Sequence, residues 1–474
     1  MNLTRRSFLR GLAGGAAVIV GPGFVGRWTA QGLTLPGPQV LRFHVTDALK
    51  GMVTDNSINS AKCYFWTFRE ESLEVEVPGP LIYTAVGQQI DLSVTNDLDE
   101  PHAFFVPGMF DTGPIAPGQT FTGSFTPTVA GSFLYYDNLN APVNRVMGLH
   151  GAMVVMPATP APGHRYTPYS APTLAVQKLF DDLGAQPWWP GLAWEEGDSA
   201  TSTPPFRQHV WVLHQASPNL FREVGSLAPG VLYDPQAFID AFTNDPFTPV
   251  PNNNRTPQYF TINGQSGHFA HDNPVICPMH RVGEPAVVRM LNAGLWTHSM
   301  HLHANHEYVI GVDGVPQSSL IWIDVFTLLP MRTVEWLVPL MRPPDIPNQR
   351  GIGRADPGLR TLAGGSTWPP AEELVMQIPG PGQRSGQDQN GNPIDLAVEM
   401  APLCYPMHDH SEPSQTAQGG NYNCGLISGL NFIGDRNQPQ GVVTFPGELT
   451  TMALHEGGPE ATGPAAGPAT RFHG

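Results

Sequence analysis

The chain has 474 residues, of which 51 are glycine and 50 are proline, and only 14% are charged. That length suits two or three domains of ~150 residues each, and so much glycine and proline favours turns and short strands over long helices. The formal net charge of −16 argues against nucleic-acid or anionic-membrane partners, because both are themselves negatively charged.

The first 30 residues have the pattern of an export signal. Arg5 and Arg6 precede Ser7-Phe8-Leu9 and a short apolar stretch rich in Gly and Ala, which resembles a twin-arginine signal peptide. The apolar run is too short for a transmembrane segment, and no later stretch is long enough either. We therefore predict a signal peptide over 1–30 and a periplasmic or secreted protein; a basic tail is the alternative. Removing 1–30 removes four Arg and no acids, so the charge changes from −16 to −20.

Residues 31–157 are predicted to form the first β domain. The segment VPGPLIYTAVGQQIDLSVTNDL (77–98) has a Pro-Gly-Pro turn and then alternates apolar and polar residues, as half-buried strands do. Strand, turn and strand follow in 113–136, and MGLHGAMVVMP closes the block.

The rest of the chain is predicted to contain a linker and a second β domain. Residues 158–205 are rich in Pro and Ala and indicate a linker with some local order. The second domain covers 206–450, with strands at 210–215, 258–264, 285–294 and 332–340 and insertions at 341–371 and 380–393. The tail 451–474 has the composition of a disordered segment.

Several stretches together resemble the multicopper oxidases, over most of the mature chain. They are PHAFF, IAPGQTFTGSFTPTVAGSFLYYDN and GLHGAMVV in the first block, and FTINGQ, HSMHLH, YPMHDH and CGLISG in the second. The resemblance implies tandem cupredoxin-like Greek-key β-sandwich domains, an all-β fold. It also implies four His-x-His pairs around a three-copper cluster, and a blue copper bound by the Cys of a His-Cys-His motif.

This chain departs from the family's ligand pattern. The first pair has His102 but Phe104, and the second pair is replaced by Tyr136 and Asn138. The third and fourth pairs are present, as His301 with His303 and His408 with His410.

The blue-copper motif also differs. Asp409 stands in place of its cysteine, SEPS (411–414) provides no further histidine, and His298 stands where a blue-copper histidine would be. The resemblance thus implies no blue-copper site.

The surviving histidines predict a metal centre. Residues i and i+2 of a strand point to the same side, so each His-x-His pair can present two imidazoles to one ion, and imidazole suits copper. By the resemblance, His102, His301, His303, His408 and His410 would bind one or two copper ions between the two domains, not a full set of four. Asp409 is either a ligand or an acceptor that orients an imidazole. Histidines without metal, left from a copper-binding ancestor, are the alternative reading.

A second group, His268, His271, Cys277 and His280, is interpreted as loop residues, although Cys-x-x-His spacing can bind zinc or copper. Met279, Met300 and Met407 lie near histidines and could be soft copper(I) ligands, although packing is the preferred interpretation. The pairing of Cys63, Cys277, Cys404 and Cys424 cannot be deduced from four cysteines.

Three functions follow from the resemblance. The first is an exported copper-binding oxidoreductase that acts with dioxygen and is not an ordinary laccase; its substrate would be a small molecule or a metal ion. The second is a copper-less structural or interaction protein with an envelope partner, and the third is a copper store or chaperone. The sequence identifies no catalytic residue, and it leaves open whether the protein is an enzyme and what its substrate and oligomeric state are.

Overall fold

The structure, a computed structural model, describes most of the chain between residues 38 and 339 and several shorter pieces. The described residues are 24–25, 38–52, 61–182, 206–244, 255–267, 270, 273, 276–277, 279–282, 285–303, 305–339, 386–387, 393–394, 403–415 and 425–435. Most of the predicted signal peptide, the insertion 341–371 and the tail 451–474 lie outside them.

Two sheets form the first half of the fold. They have the strand orders β3-β2-β5-β8 and β1-β4-β10-β9-β6-β7. The strands are β1 (Phe24–Val25), β2 (Gln39–Met52), β3 (Ala61–Glu70), β4 (Leu81–Ala85), β5 (Ile90–Asn96), β6 (Phe105–Val106), β7 (Phe110–Asp111), β8 (Thr120–Phe125), β9 (Gly131–Tyr136) and β10 (His150–Met156).

The expected alternation is clearest in β5, where buried and half-buried residues succeed each other along all seven positions. Its buried side chains, such as Leu92 and Val94, join a core with Phe43, Phe68 and Tyr135. One apolar face per strand is therefore enough to hold these sheets against each other.

Two larger sheets form the second half, with the orders β12-β11-β14-β19-β16-β17 and β13-β23-β22-β15-β18. A two-stranded piece, β20-β21, stands apart from them. The strands are β11 (Arg207–Ala216), β12 (Tyr259–Ile262), β13 (Met279–Val282), β14 (Ala286–Asn292), β15 (His298–Leu302), β16 (Glu307–Val312), β17 (Val315–Ile323), β18 (Val325–Leu328), β19 (Thr333–Val338), β20 (Gly386–Gln387), β21 (Pro393–Ile394), β22 (Leu403–Asp409) and β23 (Ile427–Asp435).

Helices are short. They are α1 (Val143–Val146), α2 (Leu174–Asp182), α3 (Pro218–Gly225), α4 (Pro235–Phe242) and α5 (Glu412–Gln415). In α3 the Ser217 side chain accepts a hydrogen bond from Leu220 N at the N-terminus, and Pro218 occupies the first turn. None of the helices in the described part of the chain has the length and apolar character that crossing a bilayer requires.

The two halves share their buried interior. One core joins Leu134 and Val154 of the first half to Trp211 and Trp336 of the second. A second core joins Phe65 to Leu220 of α3. The helix α2 lies within the predicted linker 158–205, and it packs against β17.

Polar groups also connect the halves. Arg145, at the end of α1, donates hydrogen bonds to the carbonyl oxygens of Ala293 and Gly294. In the other direction, His214 Nε2 of β11 donates to the carbonyl oxygen of Val146 over 2.9 Å. The predicted boundaries at 157 and 206 fall between the sheets of the two halves, and as exact domain limits they stay predictions.

Candidate metal centre

Two neighbouring strands bring four histidines together. The strands β15 and β22 are antiparallel, and His301 lies directly opposite His408 in their register. Residues two apart share a side of a strand, so His303 and His410 fall on the same side as their partners. We call His301, His303, His408 and His410 the histidine cluster.

Ring separations confirm that the cluster is compact. The ring centroids of His301 and His303 lie 4.8 Å apart, and those of His408 and His410 lie 5.1 Å apart. Across the strands, His301 is 5.5 Å from His408 and 4.7 Å from His410, and His303 is 4.9 Å from His408. One ring nitrogen from each of His301, His303 and His408 lies within 4.8 Å of the others.

Hydrogen bonds on the far side of the rings leave ligand nitrogens available. His301 Nδ1 donates to the carbonyl oxygen of Asp324 over 2.7 Å, and His408 Nδ1 donates to that of Asp409 over 3.1 Å. Each bond fixes the proton on Nδ1, so Nε2 carries the lone pair. The Nε2 atoms of His303 and His408 share a 2.9 Å hydrogen bond, which His303 donates because His408 Nε2 carries the lone pair; a metal ion would take the place of that proton.

The surroundings favour the neutral form of His301, His303 and His408. Burial, together with the neighbouring histidines of the cluster, lowers the pKa of His303 to about 4. Burial likewise lowers the pKa values of His301 and His408, despite the opposing effect of their hydrogen bonds to backbone carbonyls. Neutral imidazole is the form that binds a metal ion.

The other face of the same strands holds Asp409 and His298. Both side chains are fully buried, and His298 Nδ1 donates to the Asp409 carboxylate over 2.5 Å. His298 is three positions from His301, and Asp409 lies between His408 and His410, so both point away from the histidine cluster. The structure therefore separates the cluster from the pair that the resemblance assigns to the blue-copper position.

The fifth predicted ligand, His102, lies in a different environment. Its Nδ1 donates to Asp137 Oδ2 over 2.6 Å, and its ring packs edge-on against Trp66. Its buried Nε2 has no hydrogen-bond partner among the described residues. None of the described ring contacts joins it to the histidine cluster, so its role as a copper ligand stays a prediction.

Where the family's other ligands are missing, the substituted side chains have other contacts. Phe104 is fully buried and stacks on Tyr135 with a centroid separation of 5.1 Å. Tyr136 packs edge-on against Phe105, and Asn138 donates a 3.3 Å hydrogen bond to Asp111.

The structure also shows a buried histidine pair that the sequence did not single out. The rings of His150 and His214 lie 4.4 Å apart, 64 positions from each other in the chain. Burial lowers the pKa of His150 to about 4 and that of His214 well below its ordinary value. Both residues sit inside apolar strands, where an isolated histidine is a weak signal.

The second sequence cluster is only partly described. The side chains of His268, His271 and His280 lie outside the described residues, whereas the buried Cys277 donates its thiol hydrogen to the carbonyl oxygen of Gly429 over 2.9 Å. Met300 and Met407 belong to the apolar core, which agrees with their interpretation as packing residues.

The described thiol of Cys63 is buried, and its burial raises its pKa. The side chains of Cys404 and Cys424 and that of Met279 lie outside the described residues. The pairing of the last two cysteines therefore stays open.

Residues 71–160 match the family model of the multicopper oxidases. The chain contains a multicopper oxidase domain. The match includes the segment with His102, Phe104, Tyr136 and Asn138, and with the sheets described above it confirms the all-β, cupredoxin-like fold class expected from the sequence.

Several solved copper proteins are similar to the chain beyond this multicopper oxidase domain. The blue copper oxidase from Nitrosomonas europaea is 16% identical, with a TM-score of 0.48, over 88% of this chain and 94% of that one. The multicopper oxidase mgLAC is 15% identical, with a TM-score of 0.46, over 88% and 95% of the two chains. The copper nitrite reductase from Nitrosomonas europaea is 14% identical, with a TM-score of 0.42, over 85% and 96%. No curated protein matches the chain significantly.

The donor atoms decide which of the family's metal sites this multicopper oxidase relative can form. The histidine cluster fits copper, because ring nitrogens of three histidines converge there and imidazole suits that metal. The blue-copper position does not fit, because Asp409 offers a carboxylate instead of a thiolate and that carboxylate is bonded to His298.

Proposed function

We propose that the protein is an exported copper-binding oxidoreductase with an atypical histidine site and no blue copper. The observation that carries this proposal is the convergence of ring nitrogens from His301, His303 and His408 within 4.8 Å. The multicopper oxidase domain at 71–160 supports copper as the metal. One ion, or two with His102 as a further ligand, is the proposed content.

The route by which electrons reach the site would differ from that of the family. Copper bound by the cluster would supply one-electron redox chemistry. No cysteine lies between His408 and His410, so a thiolate cannot conduct electrons from a separate blue copper. His410 is exposed, and His301 and His303 are half-buried, so a small-molecule or metal-ion reductant could contact the site directly.

Copper titration of metal-free protein tests this proposal. We expect the wild type to bind copper(II) and the His301→Ala, His408→Ala double variant to lose that binding. A matched control is His44→Ala with His164→Ala, because each of these histidines pairs with an aspartate outside the cluster and the double substitution should leave binding unchanged. Equal binding by the wild type and the cluster variant would reject the site.

Binding should also stabilise the protein. A ligand that binds only the folded state raises the free energy of unfolding by ~2.7 kcal/mol at a hundredfold excess over its dissociation constant. Thermal unfolding with and without copper measures this gain, and the cluster variant should show none.

The packing at three former ligand positions favours a second candidate, a copper-less structural or interaction protein of the envelope. Phe104, Tyr136 and Asn138 have stable contacts that need no metal. Metal analysis of protein purified from its native compartment separates this candidate from the first. Dioxygen consumption with a reductant then separates an oxidase from a copper store or chaperone.

Export is tested separately. Because Arg5 and Arg6 carry the twin-arginine pattern, replacing both with Lys should retain the protein in the cytoplasm. Fractionation of cells that express either form measures this, and normal export of the variant would reject the signal.

A further inference from the structure

Asp409 occupies a fully satisfied position where the family binds its blue copper. Its Oδ1 accepts from the backbone N–H groups of Ser299, over 2.6 Å, and Ser411, over 2.9 Å. Its Oδ2 accepts from His298 Nδ1 and from the Ser414 hydroxyl. A carboxylate has about four lone-pair sites, so four donors leave none for a metal ion.

The proton arrangement around His298 follows from its other neighbour. Gln215 Oε1 accepts from the backbone N–H of Leu295 over 2.9 Å, so the amide nitrogen of Gln215 must face His298 Nε2, 2.6 Å away. An amide nitrogen only donates, so His298 Nε2 accepts and its proton lies on Nδ1, facing Asp409. The close approach of Gln215 needs Gly294, since a Cβ there would lie 1.9 Å from its amide oxygen.

These bonds connect the strands that carry the histidine cluster. The Asp409 side chain binds Ser299 N, and the N–H of the next residue, His410, donates to Ser299 O over 2.8 Å. Ser299 is two positions before His301, so this ring of contacts holds the register in which His301 faces His408. Ser414 adds the helix α5 to the same carboxylate.

We propose that His298, Asp409 and Ser414 form a metal-free joint in place of the blue-copper site, and that Asp409 is a positioning residue for the histidine cluster. The proposal rests on the copper-binding function proposed above. Its elements are geometric: a buried carboxylate with every lone pair used, and bonds from it to the backbone N–H groups of Ser299 in β15 and of Ser411 just after β22. The burial of Asp409 opposes its ionisation, but the bonds from His298, Ser414 and Ser411 outweigh that effect and its pKa is lowered.

The first test uses copper. In the His298→Ala variant the number of bound copper ions should equal that of the wild type, because the joint binds none; loss of one ion would overturn the proposal. Asp409→Asn should weaken copper affinity of the cluster by about 10- to 100-fold, as changes next to metal ligands do, and should alter the copper(II) EPR spectrum. The new amide N–H groups would face the N–H of His298 and the hydroxyl of Ser414, which both donate to the carboxylate.

Ser414→Ala is the milder second variant, since it removes one of four donors and should fold. It should shift the EPR spectrum in the same direction with a smaller loss of affinity. Asp97→Asn is the matched control, because Asp97 also pairs with a histidine, His44, but on the surface. A purely structural role for Asp409 would lower the unfolding temperature and leave the affinity and spectrum of the folded protein unchanged, and that result would overturn the proposal.

A measurement without copper keeps the two proposals distinguishable. Nitrogen-15 NMR of histidine-labelled, metal-free protein should show His298 with its proton on Nδ1, and Asp409→Asn should move the signals of His408 and His410. If the wild type binds no copper, the proposed function fails, and this spectrum still decides whether Asp409 positions the cluster. A proton on Nε2 of His298 would overturn the proposal. Signals of His408 and His410 that do not move in the Asp409→Asn variant would also overturn it.

Discussion

The two halves of the molecule differ at the positions that correspond to the family's copper ligands. In the first half, family ligand positions hold Phe104, which stacks in the core, and Tyr136, which packs against Phe105. In the second half, β15 and β22 keep four imidazoles on one side. The first set is stabilised by apolar contact alone, and the second is arranged so that a ligand could complete it. Where an aromatic side chain is packed against its neighbours at a ligand position, a single substitution to histidine should not be enough to create a metal site.

The largest expected effect comes from reversing the first half directly. Phe104→His places a polar ring in the fully buried stack with Tyr135 and Phe43, and we expect a loss of ~4 kcal/mol in the free energy of unfolding. Urea denaturation measures the loss, and metal analysis should find no additional copper. Phe105→His, at a half-buried position, is the control. A stable Phe104→His protein with one more copper would contradict the comparison.

Acid should act on the first half through stability. The pKa of His150 is lowered to about 4 by burial, so the unfolded chain binds a proton there at a pH where the folded chain does not. The contribution of the neutral His150 ring to the free energy of unfolding is fully present above pH ~6.5. It is lost as the pH falls toward 4, a loss on the order of 3 kcal/mol. Urea denaturation at pH 7 and at pH 4.5 measures it, in metal-free protein.

The matched variant for this effect is His150→Phe, which keeps an apolar ring and cannot be protonated. Its stability should fall less between the two pH values than that of the wild type. The same acid dependence in both proteins would show that His150 is not the group responsible.

Acid should act on the second half through metal release. The pKa values of His301, His303 and His408 are lowered, that of His303 to about 4, so protons compete with copper at lower pH than the ordinary imidazole value of ~6.5 suggests. For each ligand, affinity should fall about tenfold, or ~1.4 kcal/mol, per pH unit once the pH is below its pKa. Copper dissociation constants measured between pH 7.5 and 4 show the pH at which copper affinity begins to fall. A fall in affinity that already begins at pH 7 would contradict the prediction.

The smallest effect is expected at Asn138. Among the described residues, its side-chain amide donates one hydrogen bond, to Asp111 over 3.3 Å. Asn138→His restores a family residue at a half-buried site and should change the free energy of unfolding by less than ~0.5 kcal/mol. It should also leave the copper content unchanged, because Tyr136 and Phe104 still lack imidazoles. An increase in bound copper would show that the first half is closer to metal binding than its packing indicates.

Local spacing was enough to predict much of this arrangement. The alternation in β5 and the His-x-His pairs both depend on the period of a strand, which the sequence displays directly. The cluster of His301, His303, His408 and His410 follows from that period together with the pairing of β15 and β22.

Contacts distant in sequence could not be predicted in the same way. The contact between the rings of His150 and His214 depends on how β10 meets β11, and nothing near either residue specifies it. The placement of His102 depends on Asp137, which the family pattern does not distinguish as its partner. The four donors around Asp409 come from β15, from Ser411 just after β22 and from the helix α5, so the absence of a cysteine at 409 showed only that a thiolate is absent.

The contacts of Arg145 have a consequence for how the molecule melts. Its buried guanidinium donates to Ala293 and Gly294 in the other half, and burial lowers its pKa to about 10. If either half unfolded alone, this charge would leave its carbonyl partners, and the shared core around Trp211 would open to water. Folding of each half therefore depends on the other, and the protein should show cooperativity across both: one calorimetric transition, with a van 't Hoff enthalpy close to the total heat absorbed.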